Sequence, residues 1–339
     1  MNRLKTTWQE IVRFWGEAEA GTSMALVRIG IALCVVYDLL HIWRLNLVVP
    51  LFAGEEHGGW SHVMTRTVWP MWIEWFGATE LSGVALHASM TLAAVALLLG
   101  FRTRMAAAIL LFLWIQWTGI LPTGDRGIDQ LIRNILVLMV FGDFGRTLSV
   151  DALARTGRWA DPTPVSVWPR RLVLGQMILM YTSAGFLKSG LTWWPMGGFA
   201  ALHFALQDPS VAAYDFGWTR AQPWFFITQI GTATTILYQC TYPLVLLLFW
   251  WRRYPERAGR IGRIANGYRL EWIWLLLGAW FHVNLGLVMN LGIFPWAMLA
   301  LYPAWFTSEE WHRWSARWLP LRANSSPPTD DSGRGSVPA

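Results

Sequence analysis

Apolar residues in this chain fall into long runs, not into the short alternations of a water-soluble sheet. Eight runs stand out, at about 23–43, 80–100, 104–122, 129–142, 172–190, 224–251, 270–290 and 293–306. A helix needs about 20 apolar residues to cross the hydrocarbon layer. The pattern therefore predicts an all-α fold, a polytopic transmembrane helix bundle of about eight spans occupying 23–306, with the fourth and eighth spans short. The flanks show helical periodicity instead. In 1–22, Leu4, Trp8, Ile11 and Trp15 share one helix face, with Arg13, Glu17 and Glu19 elsewhere. In 307–322, Trp311, Trp314, Trp318 and Leu321 share a face, and Thr307 with Glu310 has the spacing of a capping box. Both stretches read as amphipathic helices lying in the membrane interface. Residues 323–339 are rich in Ser, Pro, Gly and Asp and read as a disordered tail. The first apolar run carries Arg28 and Asp38, and no small-residue cleavage site follows it. It is expected to stay as a membrane helix and not to be removed as a signal peptide.

Charge orients the bundle. Arginines concentrate in 143–171 (Arg146, Arg155, Arg158, Arg170, Arg171), in 252–269 (Arg252, Arg253, Arg257, Arg260, Arg263, Arg269) and in the link holding Arg102 and Arg104. The loops 44–79, 123–128 and 191–223 hold few. With eight spans all the cation-rich loops and both termini share one face, which the positive-inside rule makes cytoplasmic. The expected location is a bacterial cytoplasmic (inner) membrane. The composition agrees: 54% of residues are hydrophobic, 14% are charged and 25 are tryptophan, against about 25% charged for globular domains. A net charge of +6 distributed this way marks topology, not nucleic-acid binding. Cys34 and Cys240 both lie in apolar runs and offer neither a disulfide framework nor a zinc motif. No internal repeat, phosphate loop or Ser-His-Asp motif is evident. Without an inverted repeat, a transporter has no support.

Candidate chemistry centres on Tyr181 to Trp194, YTSAGFLKSGLTWW. Lys188 is one of two lysines in the chain, with Lys5, and sits near the end of the fifth run. An ammonium at membrane depth is costly, so a functional role competes evenly with snorkelling to the interface. Desolvated lysine can act as base or nucleophile. The topology places Lys188, Asp38, His41 and Asp129 near the outer ends of their spans, with His282 mid-span in the seventh, so these groups could converge. Each also has a structural reading. Asp129 with Arg133, and Asp38 with His41, could neutralise or cap locally. Arg28 could snorkel to the cytoplasmic side. His282 could be a satisfied core histidine, and His87 and His203 are read as structural. Tyr181 and Lys188, seven apart, share a helix face, and Ala184 with Gly185 between them would admit a neighbouring helix closely.

Several segments together resemble one family. YTSAGFLKSGLTWW, FHVNLGLVMNLGIFPWAMLALYPAWFTSEEW, VRIGIALCVVYDLL, LLGFRTRMAAAILL and LSVDAL occur in the order seen in the HTTM (horizontally transferred transmembrane) domain. That domain is the membrane part of the vitamin K-dependent γ-carboxylases. The resemblance covers about residues 20 to 315 and is closest to the bacterial stand-alone type. It implies a neutral lysine, at Lys188, that deprotonates a vitamin K-like hydroquinone, and an active-site histidine at His282. O2 and CO2 enter only if the carboxylase chemistry is retained. A second family histidine, before the fourth span, has no counterpart here; Asp129 stands nearest, in GDRGIDQLIRN. The resemblance to the stand-alone type carries the expectation that the family's large soluble substrate-binding region is not part of this protein.

Two functions follow as expectations. One is a lysine-base membrane enzyme acting on a quinol or another lipid-soluble substrate, with Lys188 and His282 as catalytic residues. Arg28, Asp38, His41, Asp129 and Tyr181 form its supporting polar cluster. The other is a non-catalytic membrane factor that binds lipid or helps to mature or export a secreted peptide. The expected partners are the lipid bilayer and a secreted or membrane peptide substrate, with no nucleic acid and no metal.

Overall fold

A computed structural model describes residues 10, 12–59, 71–121 and 124–318. Ten principal helices order the chain: α1 (Thr22–Arg44), α2 (Glu80–Leu99), α3 (Thr103–Ile120), α4 (Gly127–Phe141), α5 (Trp168–Phe186), α6 (Trp224–Thr241), α7 (Leu244–Arg253), α8 (Glu271–Val288), α9 (Phe294–Leu299) and α10 (Ser308–Trp318). Further helices, among them Val150–Thr156, Ala201–Gln207 and Gly259–Gly267, and 3-10 turns fill the connections. Helices α1 to α4 pack in chain order, each against its neighbour, and α5 packs mainly against α6, with a slighter contact between α4 and α5. The turn at Tyr302–Trp305 closes the bundle against α1 and α5.

Among the described residues four helices, α1, α2, α3 and α8, are long and apolar enough to cross a membrane; α6 and α7, bent by 51° at a short break, would together make a fifth. This is fewer than the eight runs suggest, and the causes are local. Pro243 stands at the α6–α7 break, where a ring without an N–H interrupts the helix. Helix α4 has 15 residues, about 22 Å at 1.5 Å per residue, short of a hydrocarbon layer of about 30 Å. Helix α5 begins at Trp168, so Arg170 and Arg171 fall within its first turn. The stretch expected as an eighth span is divided: α9 ends at Leu299, and Pro303 lies in the 3-10 turn after it.

The ends also differ from expectation. Residues 12–16 are helical, but Ala18–Ala20 form a strand, β1, antiparallel to β2 (Pro164–Ser166), with Glu19 opposite Val165. The amphipathic face expected for 1–22 therefore stops short of 18–20; Leu4, Trp8 and Ile11 lie outside the described residues. Among the described residues the fold is helical with one short two-stranded ladder. Helix α10 forms as expected. The Thr307 N–H donates to the Glu310 carboxylate at 3.0 Å and the Glu310 N–H to the Thr307 hydroxyl at 3.4 Å. The tail at 323–339 lies outside the described residues.

The cation-rich segments meet at one end of the bundle, held by carboxylates from both terminal regions. Glu19 binds Arg170 at 2.6 Å, Glu17 binds Arg171 and Arg253, and Glu310 binds Arg252 and Arg269. Asp161 accepts from Thr163, Arg155 and Arg146. The Thr163 hydrogen bonds, followed by the Arg155 guanidinium, hold its carboxyl well below the ordinary aspartate range.

Arg28 does not snorkel. It is fully buried in α1, and its guanidinium donates to Leu97 O at 3.1 Å, Leu98 O at 3.4 Å and Leu148 O at 2.5 Å. Leu97 and Leu98 close α2, where unpaired carbonyls and the negative helix end favour a cation. Gly100 makes the approach possible. It has a φ of +68°, and a Cβ there would lie 2.0 Å from Arg28 Nη1. Arg28→Ala and Gly100→Ala should each destabilise the folded protein by about 1–3 kcal/mol, from unpaired buried carbonyls and from overlap respectively. Both act on one contact, so the double variant should lose less than the sum. Thermal unfolding of the four proteins in detergent checks this; strict additivity would contradict it.

Candidate functional site

Helix α5 carries the site, and the close approach of α6 builds it. A Cβ on Gly185 would stand 3.0 Å from Cys240 N and 3.0 Å from Gln239 Cβ. The small-residue step expected from Ala184 and Gly185 thus does admit a neighbouring helix. Across this contact Gln239 reaches Lys188, whose Nζ donates to Gln239 Oε1 at 2.8 Å and to Ala184 O at 2.8 Å. The amine also lies 5.0 Å from the centroid of the Trp193 ring. Helix α5 ends at Phe186, so Lys188 is on the turn beyond it and not inside the span. Its side chain folds back to satisfy a carbonyl that the last helical turn leaves unpaired. Gln239 is the residue that sequence reasoning missed; an amide in the apolar stretch ILYQCTYPLVLLL was its signal.

About two turns deeper along α5 lies a phenol–imidazole network. Tyr181 Oη is 2.5 Å from His282 Nε2 and 3.2 Å from Tyr302 Oη. His282 is fully buried, and its Nδ1 has no partner. A buried unpaired N–H is worse than a buried unpaired lone pair. The favoured arrangement therefore places the proton on Nε2, donating to Tyr181, which in turn donates to Tyr302. Tyr238 and Tyr242, one turn apart on α6 and its end, pack on Tyr181 with centroids 5.3 Å and 4.3 Å away. Helix α8 accommodates the cluster at Gly278, where a Cβ would lie 2.1 Å from Tyr238 Oη and 2.2 Å from Tyr302 Oη. The YQCTY spacing was legible as two tyrosines on one face, but their meeting with Tyr302 was not.

The remaining candidates do not join this cluster. Asp38 and Asp129 do converge, through Arg126, which sequence reasoning overlooked. Arg126 Nη2 is 2.6 Å from Asp38 Oδ2, and its Nε is 2.9 Å from Asp129 Oδ2. The Asp129 carboxylate also caps α4 by accepting from the Arg126 N–H at 2.8 Å. Arg133, the partner first expected for Asp129, instead pairs with Asp125 at 2.8 Å. The i, i+4 spacing fails because Asp129, in the first turn, faces the bundle while Arg133 reaches back past the helix start. His41 stacks on Tyr37, 6.0 Å between centroids, and makes no contact with Asp38 that would pair them. Arg28 sits at the cation-rich end, as described above. His87 is buried between Trp43 and Phe52, and His203 approaches the Thr219 hydroxyl at 3.4 Å.

The expected single constellation is thus three separate groups: Lys188 with Gln239, His282 with the tyrosines, and Asp38–Arg126–Asp129. No hydrogen bond joins the amine to the imidazole. Among the described residues no group of His, Cys, Asp and Glu could hold a metal ion. The chain matches no family model, no curated protein and no solved structure.

Tyr181→Phe should cost about 1–3 kcal/mol, since it strips His282 and Tyr302 of their shared partner. Gly278→Ala should cost more, because two phenols must move, whereas Gly175→Ala, with open space around it, should be tolerated. Thermal unfolding of the three variants in one detergent checks the order. A Gly278→Ala protein as stable as Gly175→Ala would contradict the packing.

Proposed function

We propose that this chain is an integral membrane enzyme in which the Lys188 amine acts as base toward a lipid-soluble hydroxylated substrate of the quinol type. The observation that carries the reading is the amine's pair of hydrogen bonds, both to neutral acceptors. A neutral amine has two N–H donors and one lone pair. Gln239 and Ala184 take the two donors, which leaves the lone pair free to accept a proton. Among the described residues no carboxylate pairs with the amine to favour an ammonium. The surroundings suit a flat apolar substrate: Trp193 lies beside the amine, and Phe186, Leu187 and Leu191 are exposed next to it. A hydroquinone bound there would supply the acidic hydroxyl. Lys188 takes its proton, Gln239 orients the amine, and Trp193 flanks the ring. His282, through Tyr181 and Tyr302, holds a proton line about two turns away within the bundle. The resemblance of YTSAGFLKSGLTWW and of the His282 segment to the HTTM domain agrees with this assignment.

The same two hydrogen bonds favour a second reading, in which Lys188 is a tie between α5 and α6. The protein is then a non-catalytic factor for lipid binding or for maturation of a secreted peptide. Lys188→Met and Lys188→Arg separate the two. As the base, Lys188 should support about 10²–10⁴-fold of rate, so both variants should fold yet abolish the cellular phenotype and alter the quinone and lipid profile. Folded variants with an unchanged phenotype and profile would leave only the tie.

The topology proposed with this function has about eight crossings of a bacterial inner membrane, with α4 and the α9 region as the shorter ones. Both termini lie on the cytoplasmic face. The meeting of the arginine-rich loops with Glu17, Glu19 and Glu310 supports it. In a protein lacking Cys34 and Cys240, Ser210→Cys should react with an impermeant thiol reagent added outside intact cells. Arg260→Cys should react only after lysis. The reverse pattern would overturn the orientation.

A further inference from the structure

At the cation-rich end, a cavity of about 550 Å³ opens between the start of α3, the segment after α4 and the short helix Val150–Thr156; Arg102, Arg104, Arg146 and Arg155 line it, with Asp143 and Asp151. The site described above uses none of these residues. The charges do not cancel. Asp143 pairs with Arg104 at 2.5 Å, and Asp161, just behind, is shared by Arg146 and Arg155 at 3.2 and 2.9 Å. Asp151 accepts from the Arg102 N–H at 2.8 Å and the Thr103 N–H at 2.9 Å, and its charge also faces the buried Arg28. Counting Arg28, five arginines stand against Asp143, Asp151 and Asp161, an excess of two positive charges.

Arg102 is the least compensated of them. It lies in the left-handed region, with a φ of 47°, a conformation costly for a side-chain-bearing residue. Asp151 fixes it there through the backbone. Among the described residues no carboxylate pairs with its guanidinium.

Beside this polar cavity the surface turns apolar. Phe101 and Met105 are 53% and 57% exposed, and Leu99 and Phe141 are exposed as well. A polar, cationic recess next to an apolar helix flank has the two-part chemistry of one ligand class. We infer that this cavity binds the phosphodiester headgroup of an anionic phospholipid, with the acyl chains lying along the Phe101 and Met105 flank. Arg102 and Arg104 contact the phosphate, and Arg146 and Arg155 line the recess behind. Basic recesses on the cation-rich side of helix bundles suit such headgroups, each cation being worth about fivefold in affinity. A free phosphate anion shares the charge but not the apolar half. The inference does not depend on the chemistry at Lys188.

The test uses the full chain in neutral detergent, with native mass spectrometry and thermal unfolding. Phosphatidylglycerol should stay bound and raise the melting temperature. Phosphatidylcholine with the same acyl chains, and inorganic phosphate, should do neither. Arg102→Gln should weaken phosphatidylglycerol retention by about fivefold. Asp143→Asn, which releases Arg104, should strengthen it, a gain that misfolding cannot produce. Equal retention of the two lipids, a shift produced by inorganic phosphate alone, or variants that leave retention unchanged would each overturn the inference.

Discussion

The contact of α5 with α6 at Gly185 is the constraint on which the candidate chemistry rests. Any side chain there would press on the backbone at Cys240 and on Gln239. Because the helices can close to this distance, Gln239 reaches the Lys188 amine, and Tyr238 and Tyr242 reach Tyr181. Between apolar helices no hydrophobic gain drives association in lipid, so close packing and interhelical hydrogen bonds must supply it. One glycine thus provides both the packing and the hydrogen-bond geometry of the group.

Polar satisfaction explains where two arginines of the bundle sit. Arg28 and Arg126 are both in the bundle, and each answers a local need. Arg28 fills the carbonyl-rich end of α2, while Arg126 neutralises Asp38 and Asp129 and starts α4. Each lies where the chain has unpaired backbone groups or carboxylates, since a buried charge without partners would be prohibitive. The two arginines fasten opposite ends of the bundle. The tyrosine–histidine network lies apart from both and is held by neutral hydrogen bonds alone.

Much of the helix pattern was legible in the apolar runs. The α10 cap could be read from Thr307 and Glu310, and the close helix approach from Ala184 and Gly185. What escaped were features set by breaks and by partners distant in sequence. Pro243 and Pro303 divide runs that hydropathy alone joins. The strand at 18–20 depends on β2, more than 140 residues away, and no periodicity reveals such a pairing. Asp129 chose Arg126 over Arg133 because capping at the first turn outweighs i, i+4 attraction. The candidate residues Lys188, Tyr181 and His282 were each visible, but only tertiary packing could divide them into two groups with Gln239 and Tyr302 as the missing partners.

The central claim is that Lys188 is a neutral amine: burial disfavours its ammonium, and two neutral acceptors, Gln239 and Ala184, leave such an amine one free lone pair. With only two lysines in the chain, the claim can be examined directly. Protein labelled with ¹⁵N-lysine in lipid nanodiscs at neutral pH should give one side-chain signal of a neutral amine and one of an ammonium, the neutral signal vanishing in Lys188→Met. Two ammonium signals, both surviving to high pH, would contradict the account.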